Sequence, residues 1–97
     1  MENYQHFTVV RTAGDLYAIA AAMDNCASIY IEESIAGHYV HWLYRNAVES
    51  ALLQVKFHHP DRPELTQFYG PKNTPVSKQA DDHCQLLLQE ISRATRG

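Results

Sequence analysis

The 97-residue chain predicts a mainly α domain, with α+β as the alternative reading. Its parts are a long central helix over 34–59, an antiparallel C-terminal helix over 75–95, and a short N-terminal strand or hairpin-like pair. Three observations lead there. Ala36, Val40, Leu43, Ala47, Ala51 and Val55 recur at three- and four-residue steps, which lines one helix face. Val76, Ala80, Cys84, Leu87, Ile91 and Ala94 do the same near the C-terminus. Residues 5–11 are β-branched and aromatic and too few for an independent helix.

The elements follow in order. Residues 5–11 read as a strand or an extended arm against the core. Thr12, Ala13 and Gly14 make a break, Asp15 is the N-cap or a first-turn acid of a helix, and Leu16, Ile19, Ala20 and Met23 carry its spacing, with Asp24 and Asn25 ending it. Residues 26–33 allow two readings. Ile29, Tyr30 and Ile31 favour a strand paired with 5–11, whereas Met23, Ala27 and Ile31 continue the helical step. A lone N-terminal strand leaves backbone groups unpaired, which favours the strand.

The 34–59 stretch holds the single tryptophan. Tyr39, Tyr44, Val48 and Leu52 widen its apolar face. Glu32 and Glu33 precede it, and Lys56, His58 and His59 crowd its end, as a helix dipole favours. Pro60 then stops it. As a helix it spans roughly 37 Å at about 1.5 Å per residue. All four prolines fall within 60–75, so this segment reads as a proline-rich loop, with one short helical turn between Asp61 and Phe68. Thr74 as N-cap and Pro75 at the first helical position open the last helix, and Arg93 and Arg96 close it.

Length and composition narrow the function classes. A chain this short forms one domain with one modest core. No long uncharged apolar run implies a membrane span, and the N-terminus has no basic-then-apolar leader, which points to a cytoplasmic protein. On that basis Cys26 and Cys84 read as reduced thiols. The net charge is −3, and no Lys/Arg cluster marks a nucleic-acid surface. Five acids against Arg11 alone in residues 1–33 read as an ordinary solvated surface.

Catalytic and metal motifs are weak. His38 and His41, three apart on a helix, present two imidazoles, but His83 falls too far along its own helix to join them. No metal-binding spacing supports the pair, so no cofactor is expected. Cys84 and His83 are adjacent and point about 100° apart, and Cys84 sits in the apolar stripe, so a nucleophile–base pair is disfavoured. The expectation is a non-enzymatic protein-binding module. Its candidate contact residues are Pro60, Asp61, Arg62, Pro63, Phe68, Tyr69, Gly70, Pro71 and Lys72 on the loop, with Trp42, Tyr44 and Phe57 on the long helix as a second choice. Competing readings are a metal- or small-molecule-binding regulator using His38 and His41, and a helical homo-oligomer.

The chain's size and its HHPDRPELTQFYGPKNTP segment between two helices resemble the small host-takeover proteins of temperate phages, in particular the anti-RecBCD accessory proteins of lambdoid phages. The resemblance is one of layout, with no motif matched. It implies binding to the RecC subunit of the RecBCD helicase–nuclease in the host cytoplasm, and modulation of that enzyme. It also implies that a host prolyl isomerase can associate at an accessible X-Pro bond. Gly70-Pro71 is the bond chosen, for the freedom glycine leaves around the proline.

Overall fold

The computed structural model describes residues 3–24, 39–58 and 62–96. In chain order these form β1 (Phe7–Val9), α1 (Ala13–Met23), β2 (Tyr39–Arg45), β3 (Ser50–Phe57), β4 (Pro63–Tyr69), a short turn at Pro71–Asn73 and α2 (Lys78–Arg96). The four strands make one antiparallel sheet in the order β1-β2-β3-β4. The fold is therefore α+β, and the predicted mainly α architecture is overturned.

The largest correction concerns 34–59. Residues 39–57 are a hairpin, not a helix. Tyr39 pairs with Lys56 and Arg45 with Ser50 across it. Side chains in a strand alternate between faces. Val40, Trp42, Tyr44, Ala51, Leu53, Val55 and Phe57 join one apolar cluster, and Leu43 and Leu52 join another on the opposite face. Both faces are covered, so apolar residues run almost without interruption. A helical step drawn through such a run collects residues from both faces and mimics an amphipathic stripe. The reversal comes at residues 46–49, where Asn46 Oδ1 accepts from the backbone N–H of Val48 and of Glu49, both at 2.8 Å.

The proline-rich loop is corrected too. Pro63 opens β4, the sheet's outermost strand, where a missing N–H is tolerated. A register shift opposite Gln54 and Val55 makes Thr66 an extra residue on β4. Leu65 and Phe68, three apart, consequently both reach the first cluster. At the other edge β1 pairs with β2, Phe7 opposite Tyr44 and Val9 opposite Trp42, so the predicted N-terminal strand is present.

One helix lies against each face. α2 supplies Ala80, Cys84, Leu87 and Ile91 to the first cluster, so its predicted stripe holds; Ala94 stays exposed, and Val76 packs from outside the helix. Its partner is the sheet, not a second helix. Its cap is Ser77, whose Oγ accepts from the Ala80 N–H at 3.1 Å, and not Thr74, whose hydroxyl donates to the Pro71 carbonyl. α1 supplies Leu16, Ala20 and Met23 to the second cluster. It starts at Ala13 because Thr12 Oγ1 provides the cap, accepting from the Asp15 N–H at 3.0 Å, and Asp15 is the first-turn acid. The 26–33 question lies outside the described residues. Among those residues no helix is long and apolar enough to cross a membrane.

Candidate functional site

The ends of the chain meet at one side of the sheet. Residues 4–7 fold back on themselves, with Tyr4 and Phe7 exchanging N–H···O bonds at 2.9 Å in each direction. Asn3 Oδ1 also accepts from the Val9 N–H at 2.9 Å, so the outer side of β1 is bonded within the chain. His6 sits in this turn at φ 70, a left-handed conformation that a side chain disfavours. Its ring lies on that of His83 from α2, with centroids 4.3 Å apart and planes 12° from parallel.

The His83 ring is held from behind. Its Nδ1 is 2.8 Å from the hydroxyl of Tyr44, a residue with no exposed surface. Asn46 Nδ2 donates to the same hydroxyl at 2.9 Å, so Tyr44 Oη ties the His83 ring to the hairpin turn. Tyr44 is itself wedged among Phe7 and Phe68, the latter edge-on at 5.5 Å between centroids.

In front of the two rings is a groove of about 450 Å³ between the 4–7 turn and α2. Tyr4, Phe7 and Leu87 form its apolar base. Leu86 stands in it 57% exposed, and Glu90 lies one turn beyond. It falls within the usual range of ligand-binding clefts. A second recess, of about 460 Å³, lies between residues 46–50 and the Gly70 to Pro75 segment. Its polar groups mostly satisfy each other. Glu49 accepts from the Ser77 hydroxyl, from the Ser77 N–H and from Asn46, and these bonds, the Ser77 hydroxyl first, hold its carboxyl below the usual carboxylate range. The first groove combines an exposed apolar side chain with rings already fixed in place, and is the stronger site.

The expected contact residues are scattered. Trp42 and Tyr44 are core residues with no exposed surface, Phe68 is 7% exposed, and Phe57 is half-buried against the same cluster. On the segment taken for a loop, Pro60 and Asp61 lie outside the described residues. Arg62 is exposed, Pro63 is half-buried at the start of β4, and Tyr69 is exposed beside Pro75. Pro71 and Lys72 are exposed, and with Gly70 they form the turn after β4. Gly70 is buried: a Cβ there would come within 2.9 Å of Thr74 Oγ1, so the glycine serves close packing and not an open proline. Gly70 and Pro71 do line the second recess.

Of the proposed metal pair, His38 lies outside the described residues and His41 is buried on β2, where desolvation lowers its pKa to about 4. Among the described residues no three of His, Cys, Asp or Glu stand together as metal ligands would. Cys84 is a buried thiol pushed up to about 12, first by desolvation and then by Asp81, and is inert as a nucleophile.

Tyr4, His6, Leu86 and Glu90 were not singled out by the sequence. The only signal was the Leu86-Leu87-Leu88 run, since an amphipathic helix cannot bury three consecutive leucines equally. Comparisons with protein-family models, with curated proteins and with solved structures found no match.

Proposed function

We propose that the protein is a non-enzymatic protein-binding module that modulates a bacterial host enzyme, and that it docks through the groove between the 4–7 turn and α2. The observation carrying this reading is Leu86, an exposed leucine set in a groove whose ring walls are locked by the Tyr44–Asn46 hydrogen bonds. Tyr4 and Phe7 line the same groove, and such aromatic side chains are enriched at interface centres. Cys84, the cysteine among the described residues, is sealed in the core, so its thiol offers no accessible nucleophile.

Affinity capture from a bacterial lysate, run in parallel with the wild type and Leu86→Asp, tests the reading. A stoichiometric partner retained by the first and lost by the second supports it. The same proteins on both columns, or none, oppose it. The narrower proposal, that the partner is RecBCD through RecC, rests on chain length and on the proline-containing segment alone. Its middle, Pro63–Tyr69, is a sheet strand, which weakens the likeness of layout. Purified RecBCD that forms no complex and keeps its nuclease activity unchanged would remove it. A prolyl isomerase acting at Gly70-Pro71 is tested in the same way, by mixing the purified proteins.

A further inference from the structure

We propose that the groove takes an arginine side chain from a segment of the partner, the guanidinium lying against the His6 ring and pairing with Glu90, with a neighbouring apolar side chain on Leu86. The inference rests on the protein-binding reading and names the chemistry of its occupant. Among the described residues Glu90 is the one acidic side chain lining the groove, and no Lys or Arg lines it. Arg93 approaches Glu90 only at 3.8 Å, through exposed and screened groups, so the carboxylate is open to a better partner. His83 Nδ1 is already hydrogen-bonded to the Tyr44 hydroxyl. An anionic occupant would meet Glu90, and a purely apolar one would leave that charge at its side unused.

Guanidinium fits the remaining geometry better than ammonium. It is planar, stacks on flat rings and pairs with a carboxylate through two parallel N–H bonds. His6 and His83 both line the groove, and their stacking holds two planar rings at its edge. The arrangement is preorganised, since both walls are fixed by contacts inside the chain.

The test is a ¹H–¹⁵N NMR titration of the full chain with three short probes, the acetylated amides of Leu-Arg, Leu-citrulline and Leu-Lys. Leu-Arg should give saturable shifts confined to the 4–7 turn and to α2 around His83, Leu86 and Glu90. Neutral, isosteric citrulline should bind about 10-fold more weakly, as should Leu-Arg to Glu90→Gln, an exposed substitution that leaves the core intact. Leu-Lys should fall between the two. Equal binding of citrulline, unaltered binding to Glu90→Gln, shifts mapping elsewhere, or no saturable shifts would overturn the inference. Any of these alongside a partner lost by Leu86→Asp in the capture experiment would leave the binding module standing with a different occupant. Failure of both experiments would remove both.

Discussion

His41 is a histidine kept neutral by its surroundings. It is 2% exposed on β2, opposite Gln54, and desolvation sets its pKa at about 4, against 6.5 for the free side chain. The unfolded chain therefore binds a proton here more readily than the native one. The native state suffers no penalty above about pH 6.5 and loses stability as pH falls from there towards 4, by about 3 kcal/mol in all. Urea unfolding of the wild type and of His41→Gln at about pH 7.5 and about pH 4.5 checks this. The wild type should lose 2–3 kcal/mol more than the variant between the two. Its neighbour Gln54 is also buried, with Oε1 accepting from Thr66 Oγ1 at 2.9 Å and Nε2 without a hydrogen-bond partner among the described residues. Polar residues thus interrupt the α1 side of the sheet, where the α2 side is uniformly apolar.

At the scale of elements, the start of α2 is tied to the hairpin turn. The Ser77 hydroxyl accepts from the Ala80 N–H and donates to Glu49, so one residue caps the helix and fastens it to residues 46–49. Ser77→Ala should cost about 1 kcal/mol from the cap alone. Thermal unfolding of Ser77→Ala, Glu49→Gln and the double variant would show coupling, with the second substitution costing less once the first is made. α2 was legible because its apolar stripe faces one neighbour only and its other side is charged. α1 was legible because alanine dominates it. β2 and β3 were not, because burial on both faces erased the alternation that identifies a strand, and because Asn46-Ala47-Val48-Glu49 lacks the glycine that announces a tight turn. β4 was hidden by Pro63 and by the prolines on either side of the strand, which signal an edge strand as readily as a loop. The groove was hidden for a different reason: its walls come from residues 4–7 and 83–90, brought together only by the whole sheet.

For the whole molecule, the sheet joins two apolar layers of unequal size, and Trp42 lies in the larger with no exposed surface. The hairpin and β4 pair with near neighbours in sequence, while β1 closes onto β2 across more than thirty residues. The local meander is thus able to form before β1 docks. The last strand to arrive is also the shortest, and its outer side depends on Asn3 and Tyr4 for its bonds. Asn3→Ala leaves the Val9 N–H without this bond on the outer side of β1, so it should raise self-association. Light scattering over days at fixed concentration, compared with the wild type, checks it.

The 4–7 turn therefore holds two offices at once. It shields the rim of a sheet that could otherwise recruit strands from other molecules, and it forms one wall of the groove. On the binding reading proposed above, an occupant of the groove would press on the same turn that shields the rim, so filling the groove should lower the tendency to self-associate.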